Sequence, residues 1–214
     1  MAGAVIIGVG PGIGQAVARR FAREGLPLGL VARSEETVRA AAGAIGEVPV
    51  VTRTADATDD VGLRSALDEI AGKFGTPDVV VYNAALIRPD EPAELSLQGH
   101  MDAWAVNVGG ALTAAAHVAP AMAERGRGTF LITGGMPEPK HQYTSLSLGK
   151  AGVRTLVALL DQKYGPSGVH AASITVAGPV APGTDFDPDD IAEHYWRLHT
   201  QEPHEWESEA YHGP

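Results

Sequence analysis

Short, nearly uninterrupted apolar runs alternate along this chain with stretches whose apolar positions recur at helical spacing. The runs are AVIIG at 4–8, LPLGLVAR at 26–33, VPVVTRTAD at 48–56, DVVVYNA at 78–84, GTFLIT at 128–133 and VHAASITVAG at 169–178. They are rich in β-branched residues and lack the apolar–polar alternation of a sheet with one wet face, so each predicts a strand covered on both sides. Between the first two, Ile13, Val17 and Phe21 fall on one face of a helix whose other face carries Arg19, Arg20 and Arg23. Ser34 stands where an N-cap belongs, ahead of Glu35 and Glu36, whose charges suit a helix's positive end. This alternation predicts a doubly wound parallel sheet in a single three-layer α/β/α domain over 1–214. No repeat, low-complexity tract or linker divides it.

A chain of 214 residues suits one domain with a full core and is short for two. It has no cysteine, which excludes disulfides and thiolate zinc sites. The N-terminal MAGAVIIGVGPG has a short apolar run, no basic residue ahead of it and glycines straight after, so it reads as a buried strand and not a signal peptide. No run approaches the roughly 20 apolar residues of a membrane span, and a cytoplasmic protein with no membrane partner is expected. A net charge of −10 repels phosphate backbones and argues against nucleic acid as a partner, while leaving room for a local pocket that takes one phosphate.

GVGPGIG follows the first strand, opens the first helix, and sets Gly8, Gly12 and Gly14 at G-x-x-x-G-x-G spacing. Glycines let a pyrophosphate approach the backbone, while the helix's free N–H groups and dipole face its negative charge. A glycine turn can be mere punctuation. Its place between strand and helix, with four further strand–helix units behind it, predicts a dinucleotide loop on a Rossmann-type sheet, with Gly8, Gly12, Ile13 and Gly14 at the phosphates. The second strand ends Val31-Ala32-Arg33-Ser34, with no acid before Glu35. A carboxylate there would bind a ribose 2′-hydroxyl and repel a 2′-phosphate, whereas Arg33 can grip the phosphate with the Ser34 hydroxyl beside it. NADP(H) is therefore expected over NAD(H); the plainer reading of Arg33 is a solvated charge at a strand end.

The run YTSLSLGKAGVRTLVALL, placed after GTFLIT, resembles the active-site helix of the short-chain dehydrogenase/reductases, and the resemblance extends over about residues 4–185. It implies NAD(P)-dependent oxidoreduction of a small carbonyl or alcohol. It also implies that Asp56, with Ala57 next to it, lies beside the adenine. Tyr82-Asn83-Ala84-Ala85 resembles the family's Asn-Asn-Ala-Gly turn with both ends changed, which brings Asn83, Ala84 and Ala85 to the cofactor. Asn107, in WAVNVGGAL, falls where the family keeps a helix-kinking Asn that holds a proton-relay water. In VAGPVAPGT, Ala177-Gly178 replaces the family's Pro-Gly, Val180 matches the residue whose backbone meets the nicotinamide amide, and Thr184 follows near the cofactor. Ile7 stands where the family often has Thr, and Pro11 where some NADP-dependent members carry a basic residue.

The departure lies in the catalytic pair. In the family a Tyr four residues before the Lys gives its proton to the carbonyl oxygen, a Ser hydrogen-bonds that oxygen, and the Lys lowers the Tyr pKa while holding the nicotinamide ribose. Lys150 is present, but the Tyr position is Leu146, which neither donates nor accepts a proton. The Ser position falls on Gly134 or Gly135, or on Thr133 in an ungapped alignment. Acid–base assistance is worth roughly 10²–10⁴ in rate, so little activity on generic ketones is expected. Lys150 and Asn107 remain as the catalytic residues that the resemblance implies, with Tyr143 first, and Thr133 and His141 behind it, as substitutes for the missing donor. Tyr143 precedes Lys150 by seven residues, a rise of roughly 10 Å in a continuous helix, so it could serve only from a bent or non-helical start. The amides of Gly134 and Gly135 could face a substrate oxygen, although a plain turn ending the strand accounts for them more simply.

The segment 186–214 reads as an aromatic- and His-rich C-terminal helix and tail. His194, His199 and His204 are spaced by five and do not share one helical face, so no metal site is expected. Tyr195, Trp196 and Leu198 are expected to cover the pocket or the core. Family members carry a longer insert and a further strand here; the short WESEAYH predicts an open substrate pocket. The resemblance implies a homodimer or homotetramer built on the helix around 100–125 and the one from near Ser145. Ala111, Ala114, Ala115, Gly149 and Gly152 would allow close helix approach, and burial on the chain's own sheet would explain them equally. The first functional reading is an NADP(H)-dependent oxidoreductase with a non-standard site and a small-molecule substrate. A cofactor-binding regulator without turnover comes second, and a non-redox isomerase or lyase on the same fold third.

Overall fold

The computed structural model describes residues 2–213. Seven strands form one parallel sheet in the order β3-β2-β1-β4-β5-β6-β7. They are β1 Ala4–Ile7, β2 Leu28–Ala32, β3 Val50–Thr54, β4 Val79–Tyr82, β5 Gly128–Thr133, β6 Val169–Val176 and β7 Glu209–His212. The helices are α1 Ile13–Arg23, α2 Glu35–Gly43, α3 Asp60–Phe74, α4 Leu97–Trp104, α5 Gly110–Glu124, α6 Thr144–Tyr164 and α7 Pro188–His199, with a π-helical turn, Ala105–Gly109, joining α4 to α5. Strand order reverses between β1 and β4, the place where open α/β sheets take ligands at their carboxyl ends.

Two cores sandwich the sheet. Leu30, Val79, Val81, Leu131 and Ile174 meet α1, α2 and α7, whereas Val5, Ile7, Val80, Tyr82, Phe130 and Ile132 meet α3, α5 and α6. Successive residues of one strand feed opposite cores, which is why the strands read as unbroken apolar runs.

The C-terminal segment differs from expectation. Part of WESEAYH forms β7, parallel to β6, with Ser173 opposite Glu209 and Val176 opposite His212. Ala210 alone in this strand is buried, and a four-residue edge strand with one inward side chain leaves little hydrophobic pattern to read. Residues 186–213 thus hold a helix and an edge strand where a helix and tail were expected. The small residues singled out for helix contacts are used inside the chain. Ala111, Ala114 and Ala115 are fully buried, a Cβ on Gly149 would lie 2.8 Å from Asn107 Cβ, and one on Gly152 would lie 3.0 Å from Val108 Cγ2.

Gly110 is the tightest of these contacts between a helix and the sheet. An added Cβ would lie 2.3 Å from Tyr82 Oη and 2.4 Å from the Ala57 carbonyl oxygen, part of a backbone that cannot swing aside. Tyr82 is itself fixed by a hydrogen bond to the Val106 carbonyl at 2.5 Å. Gly110→Ala is therefore expected to destabilise the protein by about 1–3 kcal/mol, read from urea unfolding. An unchanged midpoint would mean that helix and sheet separate freely here.

Candidate functional site

The glycine turn is held by contacts that exclude other residues. Gly8 has φ +91°, and a Cβ there would lie 2.4 Å from the Ala84 nitrogen. Its carbonyl accepts from the Gly10 amide at 2.9 Å and from Asn83 Nδ2 at 2.8 Å. A Cβ on Gly14 would lie 2.4 Å from that same carbonyl oxygen. Gly12 is the N-cap of α1 and offers no side chain to it; the Gln15 amide is taken by the Gly10 carbonyl at 3.0 Å, which leaves the Ile13 and Gly14 amides open to an anion. These are the features a pyrophosphate needs.

Beside the turn lies a cleft of about 640 Å³ at the carboxyl ends of β1, β2 and β4. It gathers Gly8, Arg33, Ser34, Asp56, Ala57, Asn83, Ala84 and Ala85 on its walls. Thr37, Leu86 and Val106 also line it and were missed in the sequence. Thr37 was legible, because it sits where the Ser34 cap must bond; Leu86 and Val106 carry no local signal. Gly12, Ile13 and Gly14 form the start of α1 next to the cleft, and a Cβ on Gly12 would lie 3.9 Å from Val180 Cγ1.

At the β2 end, Ser34 caps α2, accepting from the Thr37 amide at 3.2 Å and sharing a 2.7 Å hydrogen bond with the Thr37 hydroxyl. Arg33 is exposed and has no ion-pair partner among the described residues. Asp56 accepts from the Thr58 amide and hydroxyl, both at 2.8 Å. Those bonds, with the Arg33 charge adding from a distance, hold its carboxyl below the usual range.

The other residues expected at the cofactor lie outside this cleft. Gly178 is covered by Phe186, whose ring a Cβ would meet at 2.3 Å. The Thr184 hydroxyl donates to the Ala181 carbonyl at 2.8 Å and accepts from the Phe186 amide at 3.1 Å, so it serves its own loop. Val180 is exposed, as Thr184 is, and its side chain lies beside Gly12 of the glycine turn.

Lys150 is buried, and its Nζ donates to the Thr133 carbonyl at 2.6 Å. Burial, with the Arg154 charge adding, pushes the ammonium down to about 8. Leu146 is buried one helical turn earlier. Tyr143 is the N-cap of α6 with φ −139° and ψ 50°, outside the helix, and its hydroxyl has no hydrogen-bond partner among the described residues. The start of α6 is anchored by Asp90, a buried carboxylate that accepts from the Ser145 amide at 2.9 Å and the Ser145 hydroxyl at 2.8 Å. Exposed His141 bonds Glu91 instead of the site. Asn107 lies in the π-helical turn, where its Oδ1 accepts from the Leu86 amide at 2.8 Å and its Nδ2 donates to the Leu86 carbonyl at 3.3 Å.

Thr133 as a substitute donor is corrected, and for Gly134 the contacts favour the simpler reading of a turn ending the strand. The Thr133 hydroxyl bonds Asn83 at 2.7 Å and Tyr195 of α7 at 2.6 Å, on the sheet face away from α6, so it cannot replace the lost phenol. The Gly134 amide continues the sheet, donating to the Ile174 carbonyl at 2.7 Å, so it is not free for a substrate oxygen. Arg154 fixes the rest of that turn by donating to the Gly135 carbonyl at 3.0 Å and the Met136 carbonyl at 2.7 Å. The C-terminal histidines go to separate partners: His194 pairs with His212 at 3.0 Å, His199 bonds Thr129 at 2.9 Å, and His204 is exposed beside Glu205.

The family model described as short chain dehydrogenase matches residues 2–189. A glucose 1-dehydrogenase from Gluconobacter oxydans is 28% identical over 186 residues, covering 83% of this chain and 69% of that protein. A sorbitol dehydrogenase from Cereibacter sphaeroides is 34% identical over 129 residues, 60% of this chain and 50% of that one. A short-chain dehydrogenase from Rhodopseudomonas palustris matches in structure with a TM-score of 0.89 at 20% identity, covering 99% of this chain and 97% of that chain. An alcohol dehydrogenase from Thermococcus sibiricus, complexed with 5-hydroxy-NADP, matches with a TM-score of 0.87 at 24% identity, covering 98% and 95%. These two structural likenesses are likenesses of fold.

Proposed function

Because the chain belongs to the short-chain dehydrogenase family, we propose that it is an oxidoreductase of a small carbonyl or alcohol that prefers NADP(H) to NAD(H) and uses a non-standard proton donor. The observation that carries the preference is Arg33, an exposed guanidinium on the cleft wall with no ion-pair partner among the described residues. Arg33 directly follows Ala32, so no carboxylate occupies the end of β2 where a ribose 2′-phosphate would lie, and the Asp56 carboxylate on the same cleft wall is engaged by the Thr58 amide and hydroxyl. Two structural neighbours are complexes with 5-hydroxy-NADP and with NADP. The glycine turn and the uncapped start of α1 suit the diphosphate, and the bound nicotinamide supplies or takes the hydride. In this reading Lys150, Asn107 and Val180 serve the nicotinamide end, Gly178 and Thr184 only shape the loop that carries Val180, and Tyr143 is the phenol left at the head of α6.

A second reading, cofactor binding without turnover, is favoured by one arrangement: Leu146 is buried, and the Lys150 ammonium is already bonded to the Thr133 carbonyl. Among the described residues no helix is long and apolar enough to cross a membrane. Leu97, Met101 and Trp104 on α4 and Leu148 and Leu159 on α6 are exposed large apolar side chains, and a second copy of the chain is the partner this reading assigns to them.

Arg33→Ala is expected to weaken NADPH binding by about tenfold or more, the value of a charge-assisted hydrogen bond, and to leave NADH nearly unchanged. Calorimetric titration reads both. Equal NADPH and NADH affinities, before and after the substitution, would sink the assignment.

A further inference from the structure

Helix α7 contributes no residue to the cleft wall, yet a chain of hydrogen bonds, buried at Tyr195 and Thr133 and half-buried at Asn83, joins it to the glycine turn. Tyr195 is fully buried, and its hydroxyl lies 2.6 Å from Thr133 Oγ1 at the end of β5. Thr133 Oγ1 lies 2.7 Å from Asn83 Oδ1, and Asn83 Nδ2 lies 2.8 Å from the Gly8 carbonyl.

The direction of every bond is forced. A carbonyl only accepts, so the amide NH₂ of Asn83 faces Gly8 and its oxygen faces Thr133. Thr133 has a single hydroxyl proton, which goes to Asn83, so Tyr195 must donate to Thr133. Burial raises the Tyr195 phenol above its ordinary value, and the donor therefore keeps its proton across the neutral range.

At the far end stands the hub of the turn. The Gly8 carbonyl also accepts from Gly10 and leaves no room for a side chain on Gly14. Tilting it would re-aim the amides that follow. The same helix braces α1 through Arg19–Asp189 at 2.6 Å, an exposed pair that contributes little, and through the half-buried Arg20 to Glu193 at 2.7 Å, which ties helix to helix and does not touch the Gly8 carbonyl. The hydrogen-bonded chain through Thr133 and Asn83 is the directional tie.

We propose that Tyr195 is a positioning residue for the diphosphate site, fixing the Gly8 carbonyl through Thr133 and Asn83 from a helix that does not line the cleft. This rests on the reading that the cleft takes NADP(H). The diphosphate end alone should then respond to Tyr195, because the Arg33 end of the cleft is held by α2 and not by this chain.

Calorimetric titrations of NADPH, ADP-ribose and 2′-AMP test it. Tyr195→Phe, which keeps the ring, is expected to weaken NADPH and ADP-ribose about fivefold and to leave 2′-AMP unchanged, a split that general loosening would not produce. Thr133→Val is expected to weaken NADPH about tenfold, and Thr133→Ser to bind as the parent does. Adding Tyr195→Phe to Thr133→Val should do no further harm. If Tyr195→Phe binds NADPH like the parent, or weakens all three ligands alike, the role of Tyr195 is overturned. If that variant does not fold, equal NADPH affinities for the Val and Ser variants of Thr133 overturn it instead. A parent chain that fails to bind NADPH at all overturns the cofactor reading itself.

Discussion

The Leu146→Tyr variant is expected to reduce simple ketones with NADPH at least a hundredfold faster than the parent chain. Leu146 lies four residues before Lys150 on α6, a rise of about 6 Å that puts both side chains on one face. An ammonium at this distance favours the phenolate and brings a Tyr hydroxyl closer to neutral titration. A positioned general acid of that kind is worth roughly 10²–10⁴ in rate. The larger ring costs about 1–3 kcal/mol of overpacking, so thermal melts must accompany the steady-state rates. A parent chain already fast on these ketones would mean that another group delivers the proton. Tyr143→Phe then decides whether that group is the unpaired phenol at the head of α6: loss of the parent activity assigns it, and retention removes it.

Much of the fold was legible because the physics that shapes it is local. Alternate side chains of each strand feed two cores, so β1 and β4 had to be apolar at every position and β5 and β6 at their centres. The glycine turn was legible for a similar reason, since no side chain fits at Gly8 or Gly14. β7 was not, because an edge strand with one buried residue differs little from a loop.

Thr133 was misplaced although the signal was present. Phe130 and Ile132 face the α5–α6 core and Leu131 faces the α1–α7 core, so the two-residue period of a strand sends the Thr133 side chain toward α7. The residues that hold the site from a distance were out of reach. Asp90 anchors α6 at Ser145, 55 positions along the chain, and Tyr195 meets Thr133 across 62. Pairings of that length arise from how elements stack, and no local pattern of residue types announces them.

The stability of the parent chain is expected to rise by about 2–3 kcal/mol between pH 8 and 10 relative to that of Lys150→Met. Burial first, and the Arg154 charge second, lower the Lys150 ammonium from 10.5 to about 8 in the folded protein. Below pH 8 the folded and unfolded chains both carry the proton, and the penalty of the buried charge is present in full. Between 8 and 10.5 the unfolded chain still binds a proton that the folded chain has released, so stability climbs with pH. Tyr82 and Tyr195, whose phenols burial raises, hold their protons more tightly when folded. They pull stability down only above about pH 10, and equally in both proteins. At pH 7 the substitution removes a buried charge but also the donor to the Thr133 carbonyl, a loss of about 1–3 kcal/mol that offsets the gain, so the slope is the diagnostic and not the midpoint. Urea unfolding of both proteins from pH 7 to 10 reads it, and parallel curves would show that the ammonium is not buried in solution. The same variant is expected to bind NADPH about tenfold more weakly, because a charged hydrogen bond to the ribose is worth roughly 1.5–3 kcal/mol. Unchanged affinity alongside the altered slope would make Lys150 a buried remnant with no part in holding the cofactor.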